Sequence, residues 1–200
     1  MELPGWEAQR KMIAPDREKL DLDKIAKNNP RKSSVLVWLY PKENDIYTRL
    51  ILRASIGNVH GGQVGFPGGK YEETDADLWQ TALREANEEI GLPGEKIKKV
   101  GQLSTVYIPP SNFLVHPFVG YSIKEMNSVI DPVEVARTID ININTLLDPN
   151  IKDEKLIVRS TKAETLTPYY SMHGFTVWGA TAMILSELEE LLRRVYIKLT

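Results

Sequence analysis

The chain has 200 residues, 42% hydrophobic and 26% charged, with 25 lysines and arginines against 27 aspartates and glutamates and a formal net charge of −2. That length is enough to bury a substantial single core, and the near balance of charge supplies no global basic field, so long nucleic acid is excluded as an expected partner. No cysteine is present, which excludes disulfides, zinc thiolate sites and cysteine nucleophiles and fits a reducing, cytoplasmic setting.

The opening Met1 to Trp6 has no basic-then-apolar leader pattern, and no stretch approaches a membrane span. A membrane partner is not expected. Pro15 to Lys27 reads as a polar helix, and Asn28-Asn29-Pro30-Arg31 breaks it, which divides the chain into an N-terminal helical extension over 1–30 and a main domain over 31–200. That helix can pack on a second copy, giving a homodimer, or cover the sheet of its own chain. Both remain open.

Ser33 to Tyr40 and Tyr47 to Arg53 read as strands around a turn at Lys42 to Asp45. After a proline- and glycine-rich stretch, Gly65 to Gly69, no proline or glycine falls between Asp75 and Gly91, so Ala76 to Ile90 can run as one helix capped by Thr74 or Asp75. Lys96 to Tyr107 and Phe113 to Ser122 read as two further strands separated by Pro109-Pro110-Ser111. Pro132 to Thr138 suggests a short helix, Ile141 to Leu146 an irregular apolar run, and Lys155 to Val158 a strand. Thr176 to Tyr196 closes as an amphipathic helix bearing Leu185, Leu188, Leu191, Leu192 and Val195. Trp178 and Phe175, ahead of that helix, read as core rather than as a base-stacking platform. Strands and helices interleaved without regular βαβ spacing point to an α+β or α/β sandwich.

The chemistry concentrates on the Ala76 to Ile90 helix. Glu85, Glu88 and Glu89 stand at i, i+3 and i+4, which places them within roughly 100° of arc on one face. Trp79, Ala82, Leu83, Ala86 and Ile90 form an apolar stripe on the opposite flank that would anchor the helix to a core. Like charges at this spacing repel by a few tenths of a kcal/mol per pair. A hard divalent cation offsets that cost, and Mg²⁺ in particular binds a few carboxylates together with substrate phosphates. Arg84, one turn before Glu88, can orient its carboxylate. The glycine turn ahead of the helix lets backbone N–H groups approach phosphate oxygens.

The segment Gly69 to Leu92 resembles the Nudix box, G-x5-E-x7-R-E-U-x-E-E-x-G-U, where U is a bulky aliphatic. Asp75 stands at the first Glu position, eight residues rather than seven separate it from Arg84, and Ala86 replaces the aliphatic. Arg53, His60, Gly62-Gln63-Val64 and Phe66-Pro67-Gly68-Gly69-Lys70 resemble the coenzyme A pyrophosphatase branch, whose box has the same Asp and the same insertion. That branch usually has Ser after the Arg, where this chain has Ala54. Pro110-Ser111-Asn112-Phe113, Val115 to Gly120, Glu134-Val135 and Trp178 to Ala182 extend the resemblance over about residues 33 to 195.

The resemblance implies an α/β/α sandwich around a mixed sheet, with the box as loop–helix–loop. It implies Mg²⁺ or Mn²⁺ held by Glu85, Glu88 and Glu89, with the Gly69 carbonyl. Arg53, His60, Gln63, Gly68, Lys70 and Ser111 become candidates for substrate contact, the arginine because a fork of donors suits a diphosphate. Glu134 is the candidate general base outside the box; as an alternative it is an ordinary acid near a helix start. The expected activity is cleavage of coenzyme A or acyl-CoA to adenosine 3′,5′-bisphosphate and 4′-phosphopantetheine. ADP-ribose or a dinucleotide is the alternative substrate, and a ligand sensor that has lost turnover is the alternative outside enzymes.

Overall fold

The structure is a computed structural model and describes residues 2–15, 21–55, 61–158 and 164–199. Its centre is a mixed sheet built on β1 (Arg31–Lys42), whose side chains alternate between two apolar layers. Leu36, Trp38 and Tyr40 face one layer, and Val37 faces the other. A strand buried on both faces belongs in the middle of a sheet. β1 pairs antiparallel with β2 (Asp45–Arg53) and parallel with β7 (Phe113–Tyr121). The tight turn between β1 and β2 places Glu43 and Asn44 at φ 52° and 69°, the left-handed pair that a two-residue hairpin needs.

β3 (Val64–Gly65) and β8 (Val135–Asn142) flank β2, β4 (Gly68–Lys70) pairs with β1, and β5 (Lys98–Gln102) and β6 (Val106–Ile108) pair with β7. A second sheet of β9 (Lys152–Val158), β10 (Glu164–Met172) and β11 (Phe175–Val177) stands beside it. Helix α3 (Leu78–Ile90) covers one face of the main sheet with Ala82, Ala86 and Ile90, and Trp79 and Leu83 are partly buried beside them. Helix α4 (Gly179–Leu199) covers the other with Ala182, Met183, Leu185 and Leu188, while Val195 is exposed. The result is the expected α/β/α sandwich, with the catalytic-box helix as one outer layer.

Several elements differ from their sequence reading. α3 begins at Leu78, capped by Asp77, whose side chain accepts from the Gln80 N–H at 2.8 Å. Asp75 is unavailable as a cap because its carboxylate is already bound elsewhere, as described below. The expected helix over Pro132 to Thr138 is a turn followed by strand β8, because Val135, Ile139 and Ile141 fill the core at two-residue periodicity while the backbone pairs with β2. The expected strand Lys96 to Tyr107 is split into β5 and β6, and β10 and β11 were not anticipated. Of the Pro15 to Lys27 helix, residues 16–20 lie outside the described residues, and α2 (Leu22–Lys27) is capped by Asp21.

The N-terminal segment is built into the core. Helix α1 (Trp6–Gln9) leads to Met12, which is buried in the layer under α4. Glu187 of α4 is fully buried and accepts from Gly5 N–H, the Gln9 side-chain amide, and the N–H and hydroxyl of Ser104. It ties the first turn of the chain to the loop ahead of β6.

Candidate active site

Two glycines determine how closely the turn approaches the helix. A Cβ on Gly68, which adopts φ 150°, would lie 2.2 Å from the Ser34 carbonyl oxygen, and one on Gly69 would lie 2.3 Å from a Glu85 carboxylate oxygen. A side chain at Gly68 would force the turn off the β1 backbone, and one at Gly69 would displace the Glu85 carboxylate. Glycine therefore brings the backbone of β4 directly against the carboxylate face of α3.

Glu89 is the most enclosed of the three acids, 1% exposed. It accepts from Arg53 Nη1 at 2.8 Å and from the Gly68 N–H at 2.8 Å. Burial pushes its pKa up to about 7, against the opposing pull of Arg53 and the Gly68 N–H. Glu85 is also pushed up, first by burial, with smaller contributions from the charges of Glu88 and Glu134. Glu88 is half exposed and accepts from Arg84 Nη1 at 2.8 Å.

Arg84 is held as firmly as the acids. Its Nε and Nη2 reach the two oxygens of Asp75 at 2.9 and 3.1 Å, Nη2 also reaches the Lys70 carbonyl at 3.0 Å, and Nη1 lies 3.0 Å from Glu85. Asp75 is buried and accepts in addition from the Thr81 hydroxyl at 2.9 Å and the Glu72 N–H at 3.0 Å. The guanidinium bonds hold its pKa down at about 2. Asp75 thus serves as the anchor of Arg84, and Arg84 in turn orients Glu88. The sequence offered one sign of this, an acid one residue further from Arg84 than the box spacing has it, while Thr81 gave none.

The C-terminal end of α3 is fastened by the segment leading into β8. Val129 N–H donates to the Ile90 carbonyl and Asp131 N–H to the Glu89 carbonyl, both at 3.0 Å. Arg49, buried, secures that segment through the Met126 carbonyl and Ser128 hydroxyl while pairing with Asp140 at 2.6 Å. Glu134 lies exposed at the end of this segment. Its charge is felt by Glu85, and its carbonyl accepts from Ala54 N–H at 2.8 Å, next to Arg53.

Of the remaining candidates, the Gln63 carbonyl accepts from Arg53 N–H at 3.0 Å, which places Gln63 beside the arginine. Lys70 is exposed just after the turn. Ser111 lies in the turn just ahead of β7. Its carbonyl accepts from Arg31, and its hydroxyl is buried without a partner. His60 lies outside the described residues.

The donor set facing the turn is all oxygen, the chemistry that suits a hard divalent cation. Among the described residues no three acids or histidines are gathered as a ready chelate. Each glutamate is engaged by an arginine or a backbone N–H, and Glu85 already lies against the Gly69 backbone. Glu85, Glu88 and Glu89, with the Gly69 backbone beside Glu85, are the oxygen donors that would hold such a cation.

The α/β/α sandwich and the three glutamates on the helix after a Gly-Gly turn are the arrangement that the box resemblance implies. The NUDIX domain family matches residues 30–141, more than half of the chain, and this protein belongs to the Nudix family. Nudix hydrolases use divalent metal ions and act on small nucleoside diphosphate derivatives. A relative from Photorhabdus laumondii, described as "Uncharacterized Nudix hydrolase NudL", is 31% identical over 166 residues, 82% of this chain and 86% of that protein. The mouse peroxisomal coenzyme A diphosphatase NUDT7 is 33% identical over 129 residues, 64% of this chain and 54% of that protein. The crystal structure of the Nudix hydrolase RenU from M. smegmatis shares the fold at TM-score 0.54 and 15% identity, covering 86% of this chain and 88% of that one. Among the described residues no helix is long and apolar enough to cross a membrane.

Proposed function

We propose that the protein is a diphosphatase of coenzyme A or acyl-CoA, working with Mg²⁺ or Mn²⁺ and releasing adenosine 3′,5′-bisphosphate and (acyl-)4′-phosphopantetheine. The observation that carries the reading is the joint between the upstream motif and the box: Arg53 bridges Glu89 and the Gly68 carbonyl, each at 2.8 Å. The motif residues that resemble the coenzyme A branch are therefore wired to the box carboxylates rather than set apart from them. The likeness to the mouse coenzyme A diphosphatase supports the same substrate.

A divalent cation bound there would supply charge neutralisation for the diphosphate oxygens and activation of the attacking water. Glu85, Glu88 and Glu89, with the Gly69 carbonyl, would hold it, and Arg53 is the partner that Glu89 has without it. Arg53 offers its fork to the diphosphate. Arg84, fixed by Asp75, keeps the Glu88 carboxylate aimed at the turn. Hydrolysis adds the water oxygen to one phosphorus, breaks the bond from that phosphorus to the bridging oxygen, and leaves two phosphate monoesters. The proton lost by the water goes to a carboxylate, and Glu134, exposed near Glu85, is the base assigned here.

The alternative substrate, ADP-ribose or a dinucleotide, is favoured by Ala54, which departs from the serine usual in the coenzyme A branch. Mass spectrometry of products from coenzyme A and, separately, ADP-ribose, each with Mg²⁺ or Mn²⁺ and a chelator control, decides between them. Metal-dependent 4′-phosphopantetheine, released faster than AMP from ADP-ribose, is expected. Cleavage of ADP-ribose alone would refute the coenzyme A assignment and keep the box chemistry.

A further inference from the structure

The connector between β7 and β8, residues 122–134, contains no helix or strand, and a segment of that kind is ordinarily the loosest part of a fold. Here it is fastened at three places. Arg49 holds its first half: Nη1 donates to the Met126 carbonyl at 3.2 Å and to the Ser128 hydroxyl, while Nε and Nη2 are fixed on Asp140 at 2.6 and 3.1 Å. The guanidinium carbon also lies 5.2 Å from the ring centres of both Trp38 and Tyr40, so the arginine has little freedom to swing. Val129 and Asp131 then give their N–H groups to the Ile90 and Glu89 carbonyls, and the Glu134 carbonyl closes the segment onto Ala54 N–H.

The middle attachment bears on the catalytic helix. The last four carbonyls of an α-helix have no partner within it. Those of Glu89 and Ile90 are two of them, and the connector supplies both donors. Glu89 stands next to the last residue of α3, where a helix frays most readily. Glu88, by contrast, is held through Arg84 to Asp75, and Glu85 lies a full turn further in. Of the three acids, Glu89 is the one whose backbone carbonyl the connector holds.

Arg49 and Arg53 face the same side of β2. Ile51, between them, lies in the core layer of Ala82, Ala86 and Ile90, Arg49 lies against Trp38 and Tyr40 of that layer, and Arg53 reaches Glu89. Two arginines of one strand thus reach one glutamate from opposite ends, Arg53 at the carboxylate and Arg49, through the connector, at the backbone carbonyl. We propose that Arg49 is a positioning residue of the metal site, fixing Glu89 through residues 126–131. The assignment rests on the reading of Glu89 as a metal ligand and adds what sets its place.

Titration of the full chain with Mn²⁺ in the presence of α,β-methylene-ADP, followed by electron paramagnetic resonance, tests the assignment without turnover, alongside a metal-free melting curve. Asp131→Pro removes the N–H that the Glu89 carbonyl accepts, and Asp131→Ala loses the same side chain but keeps that N–H. Arg49→Lys keeps the charge but cannot span Asp140 and the connector together. D131P and R49K are expected to bind Mn²⁺ about tenfold more weakly than the wild type, the scale for a group that orients a metal ligand, and D131A within about twofold of it. Asp140→Asn weakens the fold on the far side of Arg49, leaves the bonds to Met126 and Ser128 in place, and should bind Mn²⁺ as the wild type does. Should D131P or R49K fail to fold, Ser128→Ala removes one of the two bonds from Arg49 to the connector and should still weaken Mn²⁺ binding about threefold. Affinity that follows the melting temperature across the set, with D140N losing as much as R49K, would overturn the positioning role, as would wild-type affinity in the folded connector variants. Glu89→Gln separates the two readings. Weak binding by E89Q beside wild-type binding by R49K removes only the positioning role, whereas wild-type binding by E89Q removes Glu89 as a ligand and the positioning role with it.

Discussion

Glu89 on α3 and Glu187 on α4 are both buried glutamates, 1% and 0% exposed, yet their surroundings differ in kind. Glu187 receives donors from Gly5, Gln9 and Ser104, contributed by two separate stretches of chain. Glu89 receives one guanidinium N–H and one backbone N–H, beside a glycine turn and two further carboxylates. Burial alone therefore does not mark a site. What separates them is whether the donors enclose the carboxylate or leave it beside other acids, where a cation or a proton can compete for it. The pKa of Glu89, pushed up to about 7 mainly by burial, reflects this incomplete satisfaction.

The sharpest way to break the comparison is to remove one charge from each helix. Glu88→Gln should lower kcat/KM by roughly 10³-fold, the scale set by loss of one charge-stabilising group in a catalytic site, and leave the metal-free thermal midpoint unchanged or raised. Steady-state kinetics and a melting curve report both. Glu187→Gln should do the reverse, costing about 3 kcal/mol in urea unfolding because one of its oxygens becomes a donor facing donors, with kcat preserved. A Glu187→Gln protein as stable as wild type would remove the structural half of the contrast.

Asp140 extends the comparison to a third acid. Arg49 and Lys42 enclose it at 2.6 and 2.7 Å, and although burial raises its pKa, these partners outweigh that and hold it down at about 2. A carboxylate whose pKa is lowered on folding stabilises the fold above the ordinary carboxylate range, here above about pH 4, and that stability is lost as pH falls through 2. Asp140→Asn should cost about 2 kcal/mol at pH 7 and flatten the acid limb of the stability curve. An unchanged acid limb would show that the enclosure carries no linkage.

Arg84→Lys should have the smallest effect, about tenfold in activity, as expected for a group that orients a metal ligand. Lysine keeps the charge but cannot span both Asp75 oxygens and Glu88 together. Full activity would remove the positioning role.

What the sequence revealed follows the same division. The three glutamates were legible because they fall on one turn of one helix, where spacing fixes geometry. The Glu187 contacts were not, since Gly5 and Ser104 lie 182 and 83 residues away and no local period connects them. The sequence reading starts α3 too early because Thr74 and Asp75 look like caps, and only the tertiary contacts of Arg84 and Thr81 take Asp75 out of contention. Pro132-Val133-Glu134 resembles a helix start, but pairing with β2 overrode local propensity. Phe175 packs partly buried against the core under α4, in keeping with its sequence reading, and Trp178 is half buried.

The most direct test of the central claim is a Mn²⁺ titration followed by electron paramagnetic resonance, with a nonhydrolysable diphosphate analogue present, on the wild type, E88Q and E187Q. The account predicts bound Mn²⁺ in the wild type and in E187Q, and a clear loss of affinity in E88Q. Equal Mn²⁺ binding by E88Q and the wild type would contradict it and place the metal elsewhere.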